Sequence, residues 1–297
     1  MNQGPGDHRP GRDVLDAEGM PERPDLEYVV PILHQRLRTR RIVSVEVQKP
    51  IVLRVAVQGD AATLLRGHIV ASVERRAHFV LFEFAEADLQ MVISPMLAGR
   101  FVFTETRPPR DSALTWTFDS GQTLVYRDDV QMGKVYIIER GAWQNVPGLS
   151  QVGIDVLSKA FTPAALAALA QKRRDQVRVF LMDKAALDSF GNAYADEVLW
   201  EARIHPKTMV SKLTPEDLAR LHAAIVRVMR DAIKTIRKRK PALDEKLRDF
   251  LKVRNRHKEA CPRCGDSIRR AGVHGHDTFF CPTCQPEQRK TGIVSWK

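Results

Sequence analysis

The four cysteines of this 297-residue chain form two Cys-x-x-Cys pairs near its end. Cys261-Pro-Arg-Cys264 and Cys281-Pro-Thr-Cys284 are separated by 16 residues. A Cys-x-x-Cys turn directs both thiolates towards one point, and two such turns form a tetrahedral sulfur cage for zinc. The alternatives are two disulfides or a chance placement, and the absence of a signal-peptide pattern argues against disulfides. The spacing therefore predicts one structural zinc ion held by Cys261, Cys264, Cys281 and Cys284.

Positive charge is concentrated in the same part of the chain. Residues 201–297 contain 23 Lys and Arg against 11 Asp and Glu, a balance of +12, whereas residues 1–200 have a balance of −1. Any single basic run is as often a solvated face as a binding surface. A one-sided excess beside a zinc module, however, favours nucleic acid as the partner. No run of about 18 apolar residues occurs, so we do not expect a membrane protein.

Length and patterning predict an α+β protein with two domains and a small zinc module. Residues 1–19 are rich in Gly, Pro and Asp and are predicted to be a disordered extension, which translation from Met20 would omit. We expect an N-terminal β-domain with a leading helix at 20–146 and a helical domain at 149–254. The zinc finger is expected at 255–290.

Periodicity predicts the elements inside these domains. The predicted strands are Ile42–Val47, Ile51–Val57, His68–Val73, Phe79–Phe84, Leu89–Ile93, Leu114–Phe118, Leu124–Tyr126 and Lys134–Ile138. The predicted helices are Asp25–Leu37, Ala164–Met182, Tyr194–Glu201, Leu218–Arg237 and Leu243–Val253. Eight short strands with turn residues between them are typical of a β-sandwich or barrel.

Three motifs, in order along the chain, resemble the formamidopyrimidine-DNA glycosylase/endonuclease VIII family. They are Met20-Pro21-Glu22-Arg23-Pro24-Asp25, Gly191-Asn192-Ala193-Tyr194-Ala195-Asp196-Glu197 and the four-cysteine finger. The resemblance runs from Met20 to about Cys284. It implies a β-sandwich domain, a helix-two-turns-helix domain and a zinc finger. It also implies a bifunctional DNA glycosylase and AP lyase of base-excision repair, acting on double-stranded damaged DNA.

The resemblance assigns the chemistry to Pro21 and Glu22. Pro21 would be the nucleophile once it is N-terminal, since an α-amine has a pKa near 8 and is partly neutral at pH 7. Glu22 would act as acid and base on the opened sugar. The alternative is an ordinary helix start with proline in its first turn. Because residues 1–19 precede Pro21, the activity requires a start at Met20 or removal of the extension.

The resemblance also implies DNA contacts. Asn192 matches an asparagine that binds a backbone phosphate, with helix capping as the alternative reading. Met96 matches a methionine that fills the gap left by a flipped nucleotide, with a buried strand methionine as the alternative.

Several positions depart from the family pattern. His78 and His276 stand where the family has a lysine and an arginine, and a histidine is mostly neutral at pH 7. Gln131-Met132 replaces an Arg-Phe wedge, and Asp25 replaces a glutamate. We expect the neighbouring arginines to compensate for the lost cations at the DNA. These are Arg75, Arg76, Arg269 and Arg270.

Two further functions stay open from sequence alone. The same scaffold could be a non-catalytic binder of damaged DNA, or the zinc finger could belong to a generic DNA-binding protein. The second of these leaves the first two motifs unexplained. We expect a monomer that is cytoplasmic and nucleoid-associated in a bacterium, and the preferred lesion is not specified by the residues.

Overall fold

The computed structural model describes residues 21–105, 108–188 and 190–287, so the extension predicted at 1–19 lies outside the described residues. The helices are α1 (Arg23–Leu37), α2 (Ala61–Leu65), α3 (Pro163–Gln171), α4 (Val177–Met182), α5 (Asn192–Ala202) and α6 (Pro215–Arg239). The strands are β1 (Ile42–Val47), β2 (Leu53–Val55), β3 (Val70–Arg76), β4 (Phe79–Phe84), β5 (Leu89–Ser94), β6 (Arg100–Thr104), β7 (Ser112–Phe118), β8 (Thr123–Arg127), β9 (Lys134–Glu139), β10 (Arg269–Val273) and β11 (His276–Phe280). Across this part of the chain, no helix has the length and apolar character needed to cross a membrane.

The first nine strands form two sheets that share a core. One sheet has the order β1-β7-β8-β6 and the other β2-β9-β5-β4-β3; the pairs are antiparallel apart from β2 with β9. Apolar side chains of both sheets meet in one cluster, to which Leu33 and Leu37 of α1 also belong. These two leucines are four residues apart and lie on the same helix face. The predicted β-sandwich with a leading helix is confirmed.

Two elements of this domain were not predicted. Strand β6 pairs with β8 and places Phe101 in the core. Helix α2 has one and a half turns, and the Asp60 carboxylate caps it by accepting hydrogen bonds from the backbone N–H groups of Ala62 and Thr63. Both elements are five residues long, which is too short for periodicity to distinguish them from loop.

The single helix predicted over Ala164–Met182 is wrong, because it is interrupted between α3 and α4. Arg173 in the interruption pairs with Asp175 and with Asp183. The N–H of Val177 donates to the carbonyl of Thr208, so the backbone turns aside to pair with a distant segment. Tertiary pairing therefore overrides a continuous apolar pattern.

The helix predicted over Leu243–Val253 is also wrong: this segment is an irregular connection. Its apolar side chains diverge, since Leu243 packs on the β-sandwich core, Leu251 on the helical core and Val253 on the zinc module. A single helix face cannot reach three separate cores. The segment instead joins all three parts of the molecule.

A cluster of charged side chains joins the β-domain to the helical domain. The guanidinium of Arg75 lies 2.8 Å from Asp188, 3.1 Å from Asp155 and 3.2 Å from Glu27. Arg23 pairs with the same three carboxylates. Only 11% of the Arg75 side chain is exposed. Arg75 thus holds the two domains together, and the DNA contact predicted for it is not supported.

Arg76, the other arginine of this pair, also contacts protein groups. Its guanidinium lies 4.1 Å from the centre of the Trp143 ring, and its Nε is 3.5 Å from the carbonyl oxygen of Leu149. A cation held over an indole face is stabilised there. The DNA contact predicted for Arg76 therefore stays a prediction that the geometry does not favour.

We predict that Arg75→Met lowers the free energy of unfolding by about 3 kcal/mol, because it leaves the buried carboxylate of Asp188 poorly compensated. Denaturant unfolding followed by circular dichroism measures the effect. Arg220→Met is the matched control, since Arg220 is 51% exposed and pairs with Asp217 within one helix turn. Its loss should cost less than about 1 kcal/mol. Equal effects of the two substitutions would contradict the structural role of Arg75.

Candidate active site

A cleft of about 210 Å³ lies where the β-domain, the helical domain and the zinc module meet. Four of the predicted site residues line it, although they are far apart in sequence. These are Glu22, Met96, Asn192 and His276. Pro21 is buried beside the cleft and lines a smaller neighbouring cavity together with Asp25 and Lys246. The fold therefore gathers the motifs at one place.

The carboxylate of Glu22 binds the first turn of α5. It accepts hydrogen bonds from the backbone N–H groups of Gly191 at 2.9 Å, Ala193 at 3.0 Å and Tyr194 at 3.2 Å. The N-terminus of a helix presents unpaired N–H groups and a partial positive charge, so it suits an anion. Burial nevertheless raises the pKa of Glu22 above its ordinary value, against the opposing charge of Arg248 and the amide hydrogen bonds. A carboxyl with a raised pKa in a cleft suits acid-base chemistry.

Gly191 is what allows Glu22 to come so close. A Cβ atom at position 191 would lie 2.5 Å from the Glu22 carboxyl carbon, well inside van der Waals contact. The backbone at Gly191 is extended, so the need for glycine here comes from space and not from a left-handed conformation. The glycine of the second motif therefore leaves the space that the glutamate of the first motif occupies.

Asp25 fixes the backbone of Glu22. Its carboxylate accepts the N–H of Glu22 at 2.8 Å and forms two hydrogen bonds with the guanidinium of Arg248, at 2.9 and 2.6 Å. Arg248 comes from the irregular connection and was not predicted as a site residue. Burial acts to lower the pKa of Arg248, but the charge of Asp25 outweighs it and the pKa is raised. Arg248 therefore stays charged beside Glu22.

The side chain of Asn192 is held by a buried arginine. Its Oδ1 accepts from Nη2 of Arg178 at 2.9 Å. The helix cap at this position is Gly191, so the capping interpretation of Asn192 is wrong. With the oxygen occupied, the amide N–H groups are the part of Asn192 that can donate to a ligand.

The last two acidic residues of the second motif tie α5 to the rest of the site. Asp196 accepts from Arg178, Arg254, the Thr278 hydroxyl and the Phe279 N–H. Glu197 accepts three backbone N–H groups of the connection, those of residues 252–254. Asp196 thus fixes the hairpin of the zinc module, and Glu197 fixes the segment that leads into it.

The four cysteines form the predicted cage. Their Sγ atoms all lie within 4.8 Å of one another, with Cys264 and Cys281 3.4 Å apart and Cys261 and Cys284 3.9 Å apart. A tetrahedron of thiolates around zinc, with Zn–S near 2.3 Å, has edges of about 3.8 Å, so the set fits this ion. Zinc here is structural, because four thiolates complete its coordination.

The zinc module is anchored to α5 through one aromatic side chain. The indole N–H of Trp200 donates to Sγ of Cys261 at 3.4 Å, and the guanidinium of Arg263 lies 3.8 Å from the indole centre. Trp200 and Cys261 also belong to one apolar cluster. The module is therefore packed on the helix that carries Asn192.

His276 and Met96 both line the cleft. His276 starts β11 at the tip of the zinc hairpin and is exposed. Met96 follows β5, is half-buried and has a left-handed backbone with φ of 46°. It is not a strand residue, so the buried-strand interpretation of Met96 is wrong. Such a backbone in a non-glycine residue is uncommon and is often found at functional sites.

The turn that carries Gln131 and Met132 is rigidly built. The buried carboxylate of Asp128 accepts from the N–H groups of Gln131 at 2.8 Å and Gly133 at 2.7 Å. Met132 is 43% exposed at this turn. The turn therefore presents an apolar side chain where the family pattern has its wedge.

His78 does not carry a positive charge. It is 8% exposed and its ring lies 4.0 Å from that of Phe79. Burial, and then the charge of Lys184, lower the pKa of His78 to about 3. Lys184 lines the cleft and was not predicted as a site residue, since no motif marks it. The neutral state expected for His78 is thus explained by its surroundings.

Comparison with known families agrees with this architecture. Residues 20–135 match the formamidopyrimidine-DNA glycosylase N-terminal domain, 152–240 match the formamidopyrimidine-DNA glycosylase H2TH domain, and 258–286 match the zinc finger found in FPG and IleRS. The formamidopyrimidine-DNA glycosylase of Symbiobacterium thermophilum is 34% identical over 278 residues, which are 90% of each chain. That of Pelotomaculum thermopropionicum is 30% identical over 274 residues, 90% of this chain and 99% of the relative.

The chain belongs to the formamidopyrimidine-DNA glycosylase family. Solved structures agree: Lactococcus lactis Fpg in complex with DNA containing an abasic site superposes with a TM-score of 0.82 and 25% identity, covering 90% of this chain and all of that one. MutM (Fpg) from Thermus thermophilus gives 0.80 and 27%, covering 91% of this chain and all of that one. The recognised family, the fold class and the structural zinc are confirmed.

We predict that Gly191→Ala lowers glycosylase activity on damaged duplex DNA about 100-fold, which is the effect expected of a displacement of about 1 Å if Glu22 takes part in the reaction. The new Cβ would force the Glu22 carboxylate off the helix N-terminus. A gel assay of duplex cleavage measures the effect. Gly272→Ala is the control for fold and zinc content, since a Cβ there meets open space. Full activity of Gly191→Ala would contradict the role given to Glu22.

We predict that His78 contributes to acid sensitivity. The unfolded chain binds a proton at this side chain near pH 6.5, whereas the folded chain resists it down to about pH 3. The contribution of His78 to stability is therefore complete above pH 6.5 and is lost as the pH falls towards 3. His78→Gln should lose less thermal stability than the parent between about pH 7 and pH 5, measured by calorimetry. His68→Gln, in the same domain, should match the parent; if both variants behave alike, His78 is not the cause.

Proposed function

We propose that the chain removes an oxidised base from double-stranded DNA and then nicks the abasic strand through an imine formed by Pro21. As a member of a DNA glycosylase family, it belongs to base-excision repair. The observation that carries the finer proposal is the raised pKa of Glu22 in the cleft, next to Pro21 in the chain. An acid-base carboxyl adjoining an amine nucleophile is the pair that this chemistry requires.

The reaction proceeds in two stages. The secondary amine of N-terminal Pro21 attacks C1′ of the damaged nucleotide and the base leaves, taking a proton, which gives an iminium on the opened sugar. Loss of the C2′ proton then breaks the C3′–O bond and releases the 3′ phosphate. Water finally hydrolyses the imine and restores the amine. Glu22 serves as the acid and base on the sugar, and its raised pKa favours the protonated carboxyl more than water would.

The DNA contacts follow from the cleft. Asn192 has amide N–H groups available to a phosphate, and His276 presents its ring from the zinc hairpin. Met96 and Met132 are the apolar side chains that would fill the space of a flipped nucleotide. The structural relative from Lactococcus lactis was solved with abasic-site DNA, which is the intermediate of this proposal. A monomer suffices, because one lesion on one strand requires no symmetry.

Borohydride trapping tests the proposal. The chain is expressed from Met20, and intact mass confirms that the methionine has been removed and Pro21 is N-terminal. We expect a covalent adduct with a duplex that carries one abasic site, and the adduct should map to Pro21. Glu22→Gln should bind this duplex as the parent does but cut duplexes with an oxidised base about 100-fold more slowly, within the range for general acid-base catalysis.

The alternative function has its own signature in the same experiment. Tight binding to the abasic duplex with no adduct would mean that the chain is a non-catalytic binder of damaged DNA. Duplexes carrying either an oxidised purine or an oxidised pyrimidine then compare the two lesion classes with the same protein. Excision of neither base, together with trapping, would restrict the activity to the lyase step.

A further inference from the structure

Lys184 places an amine in the cleft. It lies in the turn after α4, where its backbone carbonyl accepts the N–H of Gly153 at 2.8 Å, so the turn is fixed to the domain junction. It lines the same cleft as Glu22, Asn192 and His276. Among the described residues that line this cleft, Lys184 is the one with a primary amine. Its role is not explained by the reaction of Pro21.

The nitrogen of Pro21 is an amide nitrogen in the chain as its sequence is written, because residues 1–20 precede it. An amide nitrogen is delocalised into its carbonyl group and is not a nucleophile. We propose that Lys184 is a second imine-forming amine of the cleft, which nicks abasic sites in chains that retain residues 1–20. The proposal rests on the proposed function only in that the cleft accepts an abasic sugar.

The surroundings of Lys184 suit a nucleophile. Burial lowers the pKa of Lys184 below the ordinary value for lysine, although the charges of Glu22 and Asp188 oppose this effect. A larger neutral fraction makes the amine more reactive, as in other lysines that form Schiff bases. His78 beside it is neutral, so it adds no competing positive charge. The arginines that line the cleft, Arg248 and Arg254, carry guanidinium groups, which are not nucleophilic amines.

The proposed step is balanced without a further reactant. The neutral amine of Lys184 adds to the C1′ aldehyde of a ring-opened abasic site, and loss of water gives a protonated imine. The C2′ proton passes to water, the electron pair forms the C2′–C3′ double bond, and the C3′–O bond breaks with release of the 3′ phosphate. Hydrolysis of the imine returns the amine and an unsaturated aldehyde. Base excision from an intact nucleotide is not part of this proposal.

A purely electrostatic role for Lys184 is the competing explanation. A cation in the cleft would attract phosphates whether or not it formed an imine. Lys184→Arg separates the two roles, since it keeps the charge but removes the amine. Lys184→Met removes both. If Lys184 forms the imine, the arginine variant should bind the abasic duplex like the parent and yet fail to form the adduct.

The experiment uses the full chain from Met1, with intact mass showing that residues 1–20 are retained. Borohydride is added with a duplex that carries one abasic site, and peptide mass mapping locates the adduct. We expect an adduct on Lys184, a loss of trapping of about 100-fold or more in Lys184→Arg because a guanidinium stays protonated, and parental trapping in Lys207→Met, an exposed lysine. No adduct, or an adduct on another lysine such as Lys246, would overturn the proposal.

The chain that begins at Pro21 separates this proposal from the previous one. In that shorter chain the parent should trap through Pro21, and the adduct should map to Pro21. An adduct there, with none in the full chain, would overturn the role of Lys184 and leave the proposed function standing. An adduct on Lys184 in the full chain, with no trapping by Pro21 in the shorter chain, would support the role of Lys184 and contradict the reaction proposed for Pro21.

Discussion

The site depends on one interaction, the binding of the Glu22 carboxylate by the first turn of α5. This contact joins residues 169 or more positions apart and sets the β-domain against the helical domain. The backbone N–H of Glu22 is fixed at the same time by Asp25, which Arg248 holds in turn. One residue is therefore located by groups from three parts of the chain. In the role proposed for Glu22, a carboxyl held in this way needs little reorganisation when a substrate arrives.

The same contact is not optimised for stability. Anions at a helix N-terminus are stabilised by up to about 2 kcal/mol, whereas moving a carboxylate out of water costs several kcal/mol. The raised pKa of Glu22 shows that burial has the larger effect here. A glutamine at this position would avoid the buried charge, but it could not exchange a proton. In the role proposed for Glu22, the buried carboxyl lowers stability in exchange for proton transfer, a trade-off that is common at active sites.

Sequence reasoning succeeded where local pattern and local chemistry coincide. The zinc cage follows from cysteine spacing, and the strands of the sandwich follow from alternation, because both signals are short-range. It failed where contacts between distant segments determine the local backbone structure. The break between α3 and α4 depends on pairing of Val177 with Thr208, and the shape of 243–253 depends on three separate cores. Arg248 and Lys184 belong to no motif and join the site through the fold alone.

Charge in the cleft is arranged differently from what the sequence suggested. The arginines that adjoin it are committed to protein groups: Arg248 to Asp25, and Arg254 and Arg178 to Asp196. Such fixed pairs hold the walls of the cleft but contribute less to attracting phosphates than uncompensated cations do. His78 is neutral because it is buried away from water and, to a smaller extent, because the charge of Lys184 lies beside it. A lysine at position 78 would place a second cation beside Lys184 in a poorly solvated site, whereas the neutral histidine packs there without repulsion.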